Sequence, residues 1–123
     1  MKKILVAEDD TFLANAYRVK LEKVGYELKQ AGSGEEALRI LESFTPDVIV
    51  LDLVMPGKDG FATLEEIKQN PKWKSIPVLV ASNLGQKEDI DRATQLGAAD
   101  YIVKSDLSMA GLVAKINALS TKK

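Results

Sequence analysis

The stretch DVIVLDLVMPGKDG, residues 47–60, decides the fold. Its apolar run Val48–Leu51 ends in a lone carboxylate, Asp52, and is followed by turn-forming Pro, Gly and Asp-Gly. An unbroken, β-branched run predicts a strand buried on both faces, as in a parallel sheet. Asp52 would then lie at the carboxyl end of a central strand, where open α/β sheets place their ligand sites. On this stretch alone, Asp52 could equally be a residue that only caps the following turn.

Composition excludes several classes of function. The chain has 123 residues, enough for one compact domain, and a net charge of −1, which gives no general electrostatic case for nucleic-acid binding. It has no cysteine and no histidine, which leaves carboxylates, hydroxyls and lysines to carry any chemistry. The first apolar run, Ile4–Ala7, is too short for a signal peptide or a membrane span. We therefore predict a cytoplasmic protein.

Apolar periodicity predicts five strands, each followed by a helix. The predicted strands are Ile4–Ala7, Tyr26–Gln30, Val48–Leu51, Ile76–Ala81 and Asp100–Val103. The predicted helices have apolar faces over 13–24, 37–44, 61–67, 86–96 and 109–119, the second stopped by Pro46 and the last followed by a frayed tail over 120–123. Ser33 is the predicted N-cap of the second helix, with Glu36 three residues later.

This alternation predicts a parallel sheet with helices on both faces, connected by right-handed crossovers. The carboxyl ends of all strands then meet at one edge of the sheet. The polar side chains predicted at that edge are Glu8, Asp9, Asp10, Asp52, Ser82 and Lys104.

The residue types at this edge predict phosphate chemistry with a hard cation. Converging carboxylates repel one another unless a cation lies between them, and all-oxygen ligands favour Mg²⁺, which commonly binds a phosphate oxygen as well. The sequence contains neither GxxxxGK(S/T) nor GxGxxG, the two glycine-rich patterns that bind nucleotides. An aspartate can itself accept a phosphoryl group, and Lys104 and Ser82 would help the cation to neutralise its oxygens.

At this point the chain resembles the receiver (response regulator) domain of two-component signalling, close to chemotaxis receivers. The matching features are ILVAEDD at 4–10, DLVMPGKDG at 52–60, Ser82 at the end of the fourth strand, and DYIVK at 100–104. The resemblance covers nearly the whole chain, and we predict that 1–123 forms one receiver domain. It implies a flavodoxin-like (βα)5 fold, a three-layer sandwich with strand order 2-1-3-4-5.

The resemblance also implies a role for each matching residue. Asp52 would be the phosphoacceptor; Glu8, Asp9, Asp52 and the Val54 carbonyl would hold Mg²⁺; Ser82 and Lys104 would contact the phosphoryl group; Ser82 and Tyr101 would be the switch residues. We leave Asp10 out of the metal set because its position suggests that it faces the first helix, and we expect Asp59 to cap the third helix.

Two departures from the family pattern lead to further hypotheses. Ser105 follows Lys104 where many receivers have a proline after a cis peptide bond, so we predict a trans bond here. Val54 and Leu84 lie two residues beyond Asp52 and Ser82, beside the path of attacking water in this family. Because both side chains are aliphatic, we predict slow loss of the phosphoryl group.

The implied function is a phosphorylation-activated switch rather than an enzyme that turns over a substrate. A histidine kinase or phosphotransfer protein would phosphorylate Asp52 with Mg²⁺, and the surface formed by helix 4, strand 5 and helix 5 would change its affinity for a downstream protein. We expect a single-domain regulator that acts without an output domain. We expect no direct nucleic-acid or membrane partner, and a monomer or a weak phosphorylation-dependent dimer.

Three alternatives belong to other classes. A receiver-like adaptor could bind partners without phosphorylation, although no essential residue is missing here. A flavodoxin-type electron carrier could share the fold, but three acids stand where its phosphate loop would be. An aspartate-dependent phosphatase would need a second Asp two residues after the nucleophile, and that residue is Val54.

Overall fold

The computed structural model describes residues 2–121 and contains a single five-stranded sheet within them. The strands are β1 Lys3–Ala7, β2 Glu27–Ala31, β3 Val48–Leu51, β4 Val78–Ser82 and β5 Asp100–Val103. The helices are α1 Thr11–Lys23, α2 Gly34–Leu41, α3 Gly60–Gln69, α4 Lys87–Gln95 and α5 Met109–Thr121, with a one-turn 3₁₀ helix at Lys104–Asp106. In this part of the chain no helix is long and apolar enough to cross a bilayer.

All strand pairs are parallel, and the strand order is β2-β1-β3-β4-β5, as predicted. The central strands β3 and β4 are buried at every position, which explains their uninterrupted apolar sequences. The edge strand β2 instead alternates between exposed and partly buried residues before it ends at the buried Ala31. The apolar pattern of these strands therefore distinguishes the central strands β3 and β4 from the edge strand β2.

The two faces of the sheet bury separate apolar cores. Leu5 and Ile49 belong to the core shared with α2 and α3, whereas Val6 and Val50 belong to the core shared with α1 and α5. The backbone ladder continues one residue past both strands, since Glu8 N–H donates to Ala31 and Asp52 N–H donates to Ala7. Alternation along a strand therefore directs both acidic side chains to the α1/α5 face.

Side-chain caps begin four of the described helices and fix the chain direction after the strands. At the start of α5, the Ser108 hydroxyl accepts from Gly111 N–H at 3.0 Å. Asp10 accepts hydrogen bonds from the N–H groups of the first turn of α1, and Asp59 does so for α3. Ser33 caps α2 through the N–H of Glu36, while the Glu36 carboxylate accepts from Gly32 N–H at 2.7 Å. The Ser33 and Asp59 caps match the sequence predictions, and Asp10, which was expected only to face the first helix, caps it.

Several predicted boundaries were wrong. Helix α2 ends at Leu41, well before Pro46, because the chain turns there and brings Phe44 back into the core. Strand β4 begins at Val78, since Pro77 has no N–H to donate to a ladder and the Ile76 carbonyl accepts from Lys68 Nζ at 2.6 Å.

Two other boundaries differ at their ends. Strand β2 begins at Glu27, one residue later than predicted. Residues 120 and 121 belong to α5 rather than to a frayed tail, because the last helix continues to Thr121. The rest of the predicted tail, 122–123, lies outside the described residues.

Candidate functional site

Three carboxylates converge where β1 and β3 end. Glu8, Asp9 and Asp52 each offer an oxygen, and these oxygens all lie within 4.8 Å of one another. Glu8 and Asp52 are buried, whereas Asp9 is exposed at the rim. Like charges at this separation destabilise one another unless a positive charge compensates them.

Lys104 brings the compensating charge from the end of β5. Its Nζ lies 2.7 Å from Glu8 Oε1 and 2.8 Å from Asp52 Oδ2, and its side chain is mostly buried. Burial alone would lower the pKa of Lys104, but its contacts with Asp52 and Glu8 outweigh that effect and raise the pKa. The site therefore contains a charged ammonium between two buried carboxylates.

Of the two buried carboxylates, Glu8 accepts fewer hydrogen bonds than Asp52. Its Oε2 accepts a hydrogen bond from Asp10 N–H at 3.1 Å. Lys104 donates a hydrogen bond to Asp52, whereas its contact with Glu8 Oε1 at 2.7 Å is an ion pair without hydrogen-bond geometry. Burial raises the pKa of Glu8, and the nearby ammonium and amide offset this only in part.

This donor set fits a hard divalent cation. It contains only oxygen ligands, carries more negative than positive charge, and includes a buried carboxylate oxygen with no hydrogen-bond donor. Asp10 is not part of it, because its Oδ1 accepts from Phe12 N–H and Leu13 N–H at the start of α1. The interpretation of Asp10 as a helix residue agrees with this geometry.

The loop after Asp52 is bonded to the site at one end and to α2 at the other. Val54 N–H donates to Asp52 Oδ1 at 3.1 Å, and the Val54 side chain is exposed. Lys58 N–H donates to Glu35 Oε1 at 3.2 Å. Gly60 closes the loop against Leu53 so tightly that a Cβ there would lie 2.3 Å from the Leu53 Cα. This close approach explains the glycine of the Asp-Gly pair.

Ser82 and Tyr101 are connected through one residue that sequence reasoning did not assign to switching. The Ser82 hydroxyl is fully buried and accepts from Leu84 N–H at 3.3 Å. The Tyr101 hydroxyl donates to the Leu84 carbonyl. Burial, reinforced by the charge of Asp89, raises the pKa of Tyr101, so its hydroxyl keeps the proton that it donates. The sequence holds no signal for this link, because both bonds to Leu84 use backbone atoms.

Ser105, which follows Lys104, lies in the one-turn 3₁₀ helix after β5. Lys104 begins the 3₁₀ helix that leads to α5. No cis peptide bond occurs among the residues that the structure describes, so the Lys104–Ser105 bond is trans, as we predicted.

The doubly wound α/β sheet and the acidic site with its lysine at the carboxyl edge agree with the fold and site that the receiver resemblance implies. The model of the response regulator receiver domain family matches residues 4–117. The chain therefore belongs to the response regulator receiver domain family, the signalling domains of two-component systems.

Individual relatives agree with this membership. The chain is 37% identical over 118 residues to the probable transcriptional regulator ycf27 of Cyanophora paradoxa, covering 96% of this chain and 48% of that protein. The structure superposes with a TM-score of 0.90 on the signal receiver domain of a histidine kinase from Syntrophus aciditrophicus, at 31% identity and over 98% and 91% of the two chains. It also resembles the Mn²⁺-bound form of the response regulator Rcp1, with a TM-score of 0.83, 30% identity and coverage of 98% and 93%. The chain spans about half the length of the curated relatives it matches.

Proposed function

We propose that this receiver domain accepts a phosphoryl group on Asp52. The observation that carries the proposal is the setting of that carboxylate, which is buried, faces Glu8 and Asp9, and has its two oxygens bonded to Lys104 Nζ and Val54 N–H. An ionised carboxylate held in this way is available as a nucleophile, and positioning with charge neutralisation supplies most of the catalysis of phosphoryl transfer.

The proposed reaction exchanges one bond for another. A carboxylate oxygen of Asp52 attacks the phosphorus of a phosphohistidine that a histidine kinase or phosphotransfer protein presents. The new O–P bond forms as the P–N bond breaks, and the electron pair of the broken bond returns to the imidazole nitrogen. Lys104 and Ser82 contact the transferred phosphoryl oxygens, each from the end of a neighbouring strand.

The proposed cofactor is Mg²⁺, held by Glu8, Asp9, Asp52 and the backbone carbonyl of Val54. When bound, the cation supplies positive charge that offsets the carboxylates and the phosphoryl oxygens. The oxygen-only ligand set supports this assignment, and so does the related Rcp1 structure with its divalent metal. Because phosphohistidine is formed from ATP in the cytoplasm, we propose the cytoplasm as the place of action.

The proposed output is a change of surface. A phosphoryl group on Asp52 draws the Ser82 hydroxyl toward it, and the Leu84 N–H bonded to that hydroxyl moves with it. The Leu84 carbonyl then moves relative to Tyr101, which turns inward and alters the surface of α4, β5 and α5. A downstream protein binds that surface, so the domain over 1–123 acts as a switch. The longer relatives named as transcriptional regulators are one example of how such a domain is used.

Intact mass spectrometry after incubation with acetyl phosphate tests the proposal. We expect one phosphoryl adduct that requires Mg²⁺, disappears with EDTA and is absent in Asp52→Asn. The matched control is Asp59→Asn, which changes an aspartate that caps α3 and leaves a side chain that caps equally well. An adduct that persists in Asp52→Asn would contradict the assignment. If neither the unmodified protein nor Asp59→Asn forms an adduct, the result would favour the alternative function, an adaptor that binds partners without phosphorylation.

A further inference from the structure

Two buried side-chain atoms lack a hydrogen-bond partner within the described part of the chain. One is Glu8 Oε1, an acceptor that is ion-paired with Lys104 at 2.7 Å, and the other is the hydroxyl oxygen of Tyr17, which can donate. Tyr17 is fully buried on α1. A phenylalanine would fill the same apolar space without leaving a polar atom unpaired, so the hydroxyl itself requires an explanation.

The fold places these two atoms at the same end of the same face. Tyr17 belongs to the apolar core that contains Val6 and Val50, which lie two residues before Glu8 and Asp52 on their strands. Helix α1 begins at the carboxyl edge of the sheet, immediately after the acidic run. Long side chains of a helix point back toward its N-terminus, so the Tyr17 hydroxyl points toward the acidic site.

The electrostatics of Tyr17 agree with this placement. Burial raises the pKa of Tyr17 most, and the charges of Glu8, Asp52 and Asp10 raise it further, in that order. The hydroxyl therefore stays protonated, and its hydrogen is available to the nearest of these acids. Glu8 has the larger influence, and its Oε1 contacts the Lys104 ammonium but accepts no hydrogen bond.

We propose that Tyr17 is a positioning residue of the cation site. Its hydroxyl donates a hydrogen bond to one buried water, and that water donates to Glu8 Oε1, which fixes the orientation of the Glu8 carboxylate toward the metal. Hydrogen bonds to a ligating side chain from outside the coordination shell commonly set its orientation and the affinity of the site. This inference rests on the proposed function, because it concerns the same Mg²⁺ site.

The test compares the Mg²⁺ affinity of the unmodified protein with that of Tyr17→Phe by following backbone amide shifts in an NMR titration. Loss of a hydrogen bond of this type commonly weakens metal binding by about 10- to 100-fold, and we expect a change of at least about tenfold. The matched control is Tyr26→Phe, which removes a hydroxyl that donates to Asn117 away from the acidic site. We expect this control to bind Mg²⁺ like the unmodified protein.

The outcomes separate this inference from the proposed function. Equal Mg²⁺ affinities of Tyr17→Phe and the unmodified protein would overturn the inference and leave the proposed function intact. Absence of Mg²⁺ binding by the unmodified protein would overturn both. A high-resolution crystal structure of the unmodified protein with Mg²⁺ gives a second test that does not depend on the variant folding. A water within hydrogen-bond distance of both oxygens supports the inference, and a dry contact surface around the Tyr17 hydroxyl overturns it.

Discussion

The central residue of the site is Lys104, because it is shared by two buried carboxylates. A single ammonium can neutralise only one of them, so Glu8 and Asp52 together retain an excess of negative charge. The exposed Asp9 adds to this excess at the rim. The metal-free site thus has only part of its negative charge compensated and keeps an excess that attracts a cation.

Removing the Lys104 ammonium should destabilise the metal-free protein. In Lys104→Met the apolar stem is kept, but Glu8 and Asp52 lose their only described cationic contact and repel each other. Breaking a buried ion pair in this way commonly costs about 3–5 kcal/mol, and we expect a loss near about 3 kcal/mol in urea unfolding with EDTA. Lys115→Met removes a much more exposed pair with Asp100 and should cost less than about 1 kcal/mol. Equal losses in the two variants would contradict this account.

The residues beside the phosphoryl group should make the phosphorylated state long-lived. Val54 is exposed at the rim and Leu84 is partly buried, and neither side chain can orient a water molecule for attack on phosphorus. Replacing Val54 by Asn adds a polar group at that position. We expect hydrolysis to accelerate by about tenfold, less than the 10²–10⁴ of full general acid–base catalysis. Decay of the phosphoryl adduct in mass spectra measures both rates; a half-life of seconds in the unmodified protein would contradict the prediction.

At the residue scale, the sequence allowed the convergence of Glu8, Asp9, Asp52 and Lys104 to be predicted, because each follows a strand of a parallel sheet. Their chemical roles stay predictions until the adduct is measured. The Leu84 backbone link and the position of the Tyr17 hydroxyl could not be predicted. Both depend on how elements distant in sequence pack, and neither has a residue pattern of its own.

Among the elements, α4 is the least firmly attached helix that the structure describes. It buries only Ala93, and its N-cap residue Gln86 makes no side-chain capping bond. A stabilising contact comes from Arg92, whose guanidinium lies 4.1 Å from the centre of the Phe61 ring on α3. The weak apolar pattern of this segment in the sequence corresponds to its shallow burial.

Hydrogen exchange should therefore rank α4 below α3 in protection. Helix α3 buries residues along its whole length, including Phe61, Leu64 and Ile67, and begins with the Asp59 cap. A helix with little buried surface opens at a smaller free-energy cost, so we expect α4 amides to exchange well before those of α3. Exchange measured by NMR on the unphosphorylated protein decides this. Equal protection of the two helices would show that α4 is as firmly packed as its neighbour.

Helix positions were easier to predict than helix ends. Caps such as Ser33 and Asp59 are local, because each side chain bonds the backbone two or three residues away. The end of α2 is not local, since it is set by the burial of Phe44 against the sheet. Sequence patterns therefore gave the starts of α2 and α3 and missed the end of α2.

For the whole molecule, cation binding and folding should be linked. The three carboxylates come from the ends of two strands, so their cluster exists only in the folded sheet. A cation that binds only the folded protein raises the free energy of unfolding by about 2.7 kcal/mol at a concentration of 100 Kd. We expect Mg²⁺ to raise the thermal midpoint of the unmodified protein and to have a much smaller effect on Asp9→Asn. A thermal midpoint that does not change when Mg²⁺ is added would contradict the linkage of cation binding to folding.

The overall fold was predictable because strand burial, helix periodicity and the βα alternation agree along the chain. Strands β3 and β4 read as continuous apolar runs since both faces of the sheet are covered. The crossover rule then leaves few arrangements for five such units.

The two hydrogen bonds of Leu84 have an evolutionary consequence. Both use main-chain atoms, so any amino acid other than proline can keep the connection between Ser82 and Tyr101. The side chain at the same position is free to vary and, with Val54, is predicted to set how long the phosphoryl group lasts. Single substitutions at these two positions would therefore lengthen or shorten the phosphorylated state during evolution, while the connection between Ser82 and Tyr101 is kept.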